Sequence, residues 1–236
     1  MKAEKTKLII TIVVLFLAAI SPNLFPYAQT GAADFSSLAL KYLIPSAVLI
    51  FIIIGIIHFL KYKDLQKQIV NGIFAGIVAT IALEIIREVG FRLGGMPGDL
   101  PKLMGVMLLN RFAEGPGIWS NVAGWSYHFW NGACFGIIFS LLFGRANTAW
   151  GIVYGVVLGI GFMISPVTIA LGIGYFGLQF NDGYQFLITV TLAHAAYGAL
   201  LGFLIYKMNK GLPNIIKRVK ETFGKNELAY TSVSRM

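Results

Sequence analysis

The sequence predicts an all-α integral membrane protein with six transmembrane helices, and three observations lead to this class. Of its 236 residues, 57% are hydrophobic and only 12% are charged, whereas soluble domains average about 25% charged residues. Six apolar segments approach the ~20 residues that a spanning helix needs. None of them alternates with the two-residue period of a transmembrane β-strand. The segments are residues 8–27, 38–60, 69–91, 123–143, 148–171 and 185–206.

The first segment allows two interpretations. The basic stretch "MKAEKTK" followed by "LIITIVVLFLAAI" is typical of a signal peptide, and cleavage near Ala18 and Ala19 is conceivable. Pro22 and Pro26 follow this apolar stretch. We expect a retained helix. Cleavage leaves five spans with the same orientation.

The basic residues predict the orientation. Most of the 19 Lys and Arg residues fall at 2–7, 61–67, 145 and 207–235, which lie on one side of a six-span chain. Lys and Arg are enriched in cytoplasmic connections, so we expect both termini in the cytoplasm. The net charge of +9 is then a signal of topology and of attraction to an anionic lipid bilayer. Nucleic-acid binding is not indicated, because no basic surface with interspersed aromatic residues is present.

Two short stretches repeat the pattern His-x3-Gly-x3-Gly, "HFWNGACFG" at 128–136 and "HAAYGALLG" at 194–202. The preceding segments are also spaced with small residues, so segments 3–4 and 5–6 form a possible tandem repeat. The predicted organisation is two N-terminal helices in 1–68, a glycine-rich four-helix bundle in 69–207 and a basic cytoplasmic tail in 208–236.

Glycines four residues apart lie on one ridge of a helix and let two helices approach closely. These glycines fall toward the cytoplasmic ends of the helices. They therefore predict a bundle whose helices are close together at the cytoplasmic side and further apart at the outer side. The glycines assigned to helix packing are Gly72, Gly76, Gly132, Gly136, Gly151, Gly155, Gly159, Gly198 and Gly202.

Polar residues collect near the outer ends of these segments. A charged group inside a membrane is costly and often functional, and Arg87 can pair with Glu84 one turn away. The second carboxylate, Glu88, then needs a partner, which either histidine can supply. The candidate ligand-binding or pathway residues are Glu84, Arg87, Glu88, His128, Asn131, His194 and Tyr197.

Three functions are open for this polar layer. It can be a network that fixes helix packing, or a path for a small solute, proton or ion. It can also hold a cofactor: bis-histidine ligation of haem b by His128 and His194, or a transition metal held by these histidines with Glu84 and Glu88. The chain has no nucleotide-binding loop and no Ser-His-Asp pattern, and whether it is an enzyme is undecided.

Other features modify this picture. In the second half of the repeat, Met163 replaces Glu84, and Pro166 should kink the fifth helix. Asp99 can cap an interfacial helix over 100–112, which either seats in the outer lipid interface or covers the polar site as a lid. The tail carries an amphipathic helix with Lys217, Arg218 and Lys220 opposite apolar residues, suited to the inner lipid surface.

The stretches "NGIFAGIVATIALEIIREVGF", "HFWNGACFG" and "LAHAAYGALLG", with a loop rich in Pro and Gly between the first two, resemble uncharacterised small polytopic prokaryotic membrane proteins, distantly the YagU type. The resemblance covers about 70–207. It implies a prokaryotic cytoplasmic membrane and no assigned activity. We expect an outward-facing polar site that serves as a solute or ion pathway, or an accessory role with partner subunits in a membrane complex. The alternative is a haem or metal redox protein.

Overall fold

The computed structural model describes residues 2–224, and all regular secondary structure within them is helical. Lys225 and Arg235, counted above with the basic tail, lie outside the described residues. A π-helical turn, Ala39–Leu43, joins α2 to α3 just before Pro45, which lacks an N–H to donate. The helices are α1 Lys2–Ala28, α2 Phe35–Leu38, α3 Ile44–Phe59, α4 Lys63–Arg92, α5 Leu100–Leu108, α6 Ile118–Phe143, α7 Thr148–Met163, α8 Pro166–Ala170, α9 Gln185–Met208 and α10 Ile215–Phe223.

Four helical segments are long and apolar enough to cross a membrane: α1, the continuous helix Phe35–Phe59, α4 and α9. Large apolar side chains on them face outward, among them Phe16 and Leu192. A soluble protein buries such a surface, so these helices are consistent with a membrane protein.

Each of the six predicted segments is helical, but two differ from a simple span. Segment 148–171 is divided, because α7 ends at Met163 and α8 begins at Pro166. The predicted proline break is therefore confirmed, and the Ser165 side chain accepts a hydrogen bond from the Val167 N–H at the new helix start. Segment 123–143 lies in α6, which carries polar residues such as Asn121 and Asn131. The number six stays a prediction.

Glycines set the closest helix contacts. A Cβ added at Gly76 of α4 would collide with the backbone of Gly132 in α6, and one at Gly151 of α7 would collide with Gly198 in α9. α4 also packs along α9, so the four helices follow one another in the order α6, α4, α9, α7. No side chain larger than hydrogen fits at these crossings, which explains the residue type.

The two ends of the bundle differ. At one end, called the α5 end, α5 crosses α6 so closely that Cβ atoms at Gly105 and Gly124 would collide with the opposing backbone. Asp99 caps α5, as predicted, through the Lys102 N–H. At the opposite end, called the α10 end, α10 packs against α1 and α6.

α1 is part of the bundle core. Val14 and Ala18 are fully buried together with residues of α3, α4 and α6. Near Pro22, where proline interrupts the helical ladder, the Tyr127 hydroxyl of α6 donates to the Ser21 carbonyl at 2.7 Å and accepts from the Phe25 N–H at 3.3 Å. Tyr127 thereby holds α1 against α6 at the α5 end.

Candidate functional site

A buried ion pair lies in α4 toward the α5 end. Glu84 and Arg87 are one helical turn apart, which places both side chains on the same face. Arg87 donates from Nε to both Glu84 oxygens at 2.9 and 2.8 Å, and its Nη2 lies 2.6 Å from Glu84 Oε2. The guanidinium therefore binds the carboxylate in a bidentate arrangement, which is the strong geometry for such a pair.

His128 of α6 joins this pair from the neighbouring helix. Its Nε2 lies 2.8 Å from Glu84 Oε1, although the ring N–H is not directed along the line between the two atoms. The distance places the groups in contact, and a small rotation of the imidazole aligns the hydrogen bond. Arg87 Nη1 is also buried, and it has no hydrogen-bond partner within residues 2–224.

Two further residues surround Arg87. Asp99, the cap of α5, brings Oδ1 to 3.8 Å from Arg87 Nη2, and Trp125 of α6 lies with its ring 6.0 Å from the guanidinium carbon. One guanidinium therefore faces two carboxylates. Lys102 Nζ, 3.4 Å from the other oxygen of Asp99, is half exposed and screened by solvent.

A cavity of about 550 Å³ opens beside this cluster. Small-molecule sites have volumes of roughly 300–1,000 Å³, so the space suits a compact ligand. Its walls come from α1, α4, α6, α7 and α9, and α5 covers it through Leu100, Pro101 and Met104. Most lining side chains are apolar. The predicted site residues among them are Arg87, His128, Asn131, His194 and Tyr197.

His194 presents one nitrogen to this cavity region in a defined form. Its Nδ1 lies 2.9 Å from the Val190 carbonyl oxygen, and because a carbonyl only accepts, Nδ1 carries the proton. Nε2 is then an acceptor. A Cβ at Gly159 would lie 3.1 Å from the His194 Cβ and Cγ, so this glycine makes room for the imidazole ring.

Asn131 and Tyr197 form hydrogen bonds between helices that line the cavity. Asn131 Oδ1 accepts from the Ser21 hydroxyl of α1 at 2.6 Å, and the Tyr197 hydroxyl donates to the Gly132 carbonyl at 2.8 Å. Both side chains thereby join two helices, and the Asn131 Nδ2 amide keeps N–H donor capacity for a ligand in the cavity.

Glu88 does not belong to the cluster, which corrects the sequence-based assignment. It lies on the face of α4 that points away from the bundle, where it pairs with Arg92 at 2.9 Å, and both side chains are substantially exposed. Within residues 2–224, no group of three or more His, Cys, Asp or Glu side chains is arranged to hold a metal ion. The four-ligand set Glu84, Glu88, His128 and His194 is therefore not assembled.

A second polar cluster, at the α10 end, was missed by sequence reasoning. The Gln68 amide donates to the Ser140 and Pro213 carbonyls, and Asn209 donates to the Ser140 hydroxyl at 2.8 Å. Arg218, assigned above to the basic face of the amphipathic tail helix, is instead 1% exposed. Its Nη2 lies 2.7 Å from Gln68 Oε1 and its Nη1 3.3 Å from Asp64 Oδ2. Amides within an apolar helix were the signal that could have located this cluster.

Comparison with known proteins gives one match. Residues 66–214, more than half of the chain, match a family of unknown function, DUF6789, and this match gives no support for the YagU-type resemblance. No curated protein and no solved structure matches the chain. The matched range contains α4 almost whole together with α5 to α9, and so includes the buried ion pair, His128, His194 and most of the cavity wall. The chain belongs to the DUF6789 family of proteins of unknown function.

Proposed function

We propose that this protein is a multi-pass membrane protein that binds a small amphipathic solute in the cavity at the α5 end. The observation that carries the proposal is the position of Arg87: the residue lines a mainly apolar space of about 550 Å³, and its buried Nη1 donor has no partner among residues 2–224. An unsatisfied buried donor is costly, and a ligand acceptor group would satisfy it.

The proposal includes six spans, formed by α1, α2 with α3, α4, α6, α7 with α8, and α9. Both termini lie in the cytoplasm of a prokaryotic cell, and the α5 end faces outward. The clustering of Lys and Arg at the α10 end supports this orientation. The shared glycine contacts of α4 with α6 and of α7 with α9 support the tandem repeat.

A binding site fits the geometry better than a continuous ion path. Beyond the cavity, toward the α10 end, Gly72 of α4 packs against the backbone of Gly136 and Ile137 in α6. The Gln68 and Asn209 network and α10 lie past that crossing. Passage to the cytoplasm would require these contacts to separate, so the described arrangement corresponds to a solute-binding state.

The charges near Arg87 favour a neutral head group on the ligand. Glu84 and Asp99 already balance the charges of Arg87 and Lys102, so an anionic head would be buried without a cation of its own. A cationic head would meet the unpaired N–H of Arg87. A carbonyl or hydroxyl oxygen accepts from Arg87 without either cost, and an alkyl or ring portion matches the apolar wall.

Thermal unfolding of the purified protein tests this function. The buried thiol of Cys134, the only cysteine, reports unfolding through a fluorogenic maleimide. Decylubiquinone, decanoate and decylammonium offer the same alkyl tail with a neutral, an anionic and a cationic head. At roughly 100 times its dissociation constant, a ligand should raise the midpoint by on the order of 5–10 °C, and we expect this for decylubiquinone.

Two variants separate specific binding from general partitioning. Arg87→Lys keeps a cation for Glu84 but removes the second guanidinium donor, and it should lose most of the shift. Arg92→Lys, in an exposed pair of the same helix, should keep it. Equal midpoints with all three compounds, or an unchanged shift in Arg87→Lys, would contradict the proposal. An accessory role would then be favoured if a partner subunit co-purifies.

A further inference from the structure

The cavity wall is open on one side. Cavity-lining residues on α1 and α7 include exposed positions, namely Asn23, Val157 and Gly161. Within the described part of the chain, α1 and α7 make no extended contact with each other, although Phe162 of α7 packs on the same apolar cluster as Leu24 and Phe25 of α1. The cavity therefore reaches the lateral surface of the bundle between these two helices, a gap called here the α1–α7 portal.

The other sides are closed by helix contacts. α6 packs on α4, α4 on α9 and α9 on α7, in each case as extended contacts. α5 covers the α5 end, where Gly105 and Gly124 interlock it with α6. Toward the α10 end, the Tyr154 hydroxyl of α7 donates to the Phe135 carbonyl of α6 at 3.0 Å. At the α5 end of the portal, Val167 of α8 is buried against Leu24 and Phe25 of α1.

The chemistry of the portal is that of a lipid-facing surface. Pro22 and Pro26 lie one turn apart on α1, and Val157 and Gly161 lie one turn apart on α7. Val157 is 58% exposed, and a Cβ at Gly161 would meet no atom within 4 Å. Asn23 is polar, but its amide donates to the Ala19 carbonyl of the same helix, and large exposed side chains nearby, such as Ile160 and Ile164, are apolar. In the proposed orientation the portal therefore borders lipid chains rather than water.

From this arrangement we infer that the ligand enters the cavity sideways from the lipid phase through the α1–α7 portal. This inference rests on the proposed function and names the class of solute more closely. The ligand is a membrane-dissolved molecule with an alkyl or isoprenoid tail and a neutral carbonyl or hydroxyl head. The head reaches Arg87, and the tail lies along the wall toward the portal. α5 is a fixed cover and is not the point of access.

Association kinetics in nanodiscs test this route. Decylubiquinone quenches tryptophan fluorescence, and exposed tryptophans such as Trp119 would be quenched directly from the lipid. The measurement therefore uses protein in which the other three of the four tryptophans are replaced by phenylalanine. Trp125 lies 6.0 Å from the Arg87 guanidinium carbon, so its quenching follows arrival of the head group. Gly161→Phe adds a bulky ring at the portal, and its Cβ has no atom within 4 Å. Gly55→Phe is the matched control, because Gly55 is also a helical glycine with open space around its Cβ.

We expect Gly161→Phe to slow association by roughly tenfold or more, within the one to three decades over which on-rates of related variants differ, and Gly55→Phe to match the protein without either substitution. Equal rates for the two phenylalanine variants, with binding still dependent on Arg87, overturn the portal and leave the proposed function intact. Slower association in Gly161→Phe with no effect of Arg87→Lys supports the portal and overturns the head-group site. Absence of quenching in the protein without either substitution overturns both.

Discussion

Arg87 Nη2 lies 2.6 Å from Glu84 Oε2, and the two side chains are only 7% and 11% exposed. An ion pair this deeply buried is a poor source of net stability, because removing both charges from water costs about as much as their attraction returns. Breaking it is expensive, since one charge is then left alone. The pair is also the anchor of the proposed ligand site, so its stability and its role in binding can be measured separately.

Replacing Arg87 by Met should lower the unfolding free energy by about 3–5 kcal/mol, because the Glu84 carboxylate loses its partner in a buried site. Thermal unfolding with the Cys134 reporter measures the change. The double variant Glu84→Gln with Arg87→Met should recover part of the loss. Arg92→Met removes the exposed partner of Glu88 and should cost about 0–1 kcal/mol; a loss as large as that of Arg87→Met would contradict the assigned burial.

A methyl group at Gly76 should destabilise the crossing of α4 and α6. An alanine Cβ there collides with the Gly132 backbone, which cannot move aside as a flexible side chain can. Overpacking of this kind costs about 1–3 kcal/mol or more. Gly55→Ala, with open space at the same atom, should leave the midpoint unchanged. Equal midpoints for the two variants would show that the helices approach less closely than described.

Removing the Tyr127 hydroxyl should loosen α1 from α6. Tyr127→Phe loses the bond to the Ser21 carbonyl and the one from the Phe25 N–H, and a typical hydrogen bond contributes about 1 kcal/mol. We expect a lower unfolding midpoint, together with weaker binding of decylubiquinone, because α1 forms one edge of the portal. Tyr27→Phe, at a half-exposed tyrosine of α1, is the control. An unaltered midpoint in Tyr127→Phe would argue against this attachment.

Arg218→Met should release α10 from the bundle. The guanidinium loses its contacts with Gln68 and Asp64, and hydrogen bonds to charged groups contribute about 1.5–3 kcal/mol. Limited trypsin digestion measures the release, since Lys210 lies exposed in the connection before α10. Cleavage after Lys210 should accelerate relative to Lys217→Met, a substitution at an exposed position of α10. Matching cleavage rates would mean that Arg218 does not hold the helix.

Several local features were predictable because they depend on neighbours in the chain. The helical segments follow from runs of apolar residues, the start of α5 from Asp99 and the division of α7 from α8 from Pro166. The four-residue spacing of Glu84 and Glu88 did not predict that one is buried and the other exposed. Residues four apart lie on one ridge, but Arg92, four residues further on, pairs with Glu88 at the surface, while Arg87 holds Glu84 inward.

The sequence by itself determined that this chain is helical and membrane-like, and which residues have no side chain at the helix crossings. Those properties are set by composition and by the 3.6-residue period of a helix. Only the tertiary structure decided that Arg87 and His128 line a common cavity, that Glu88 lies apart from it, and that Arg218 is buried rather than on an exposed basic face of the tail helix. The physical reason is that these outcomes depend on which faces of separate helices meet, and helix order and rotation are fixed by contacts between distant parts of the chain.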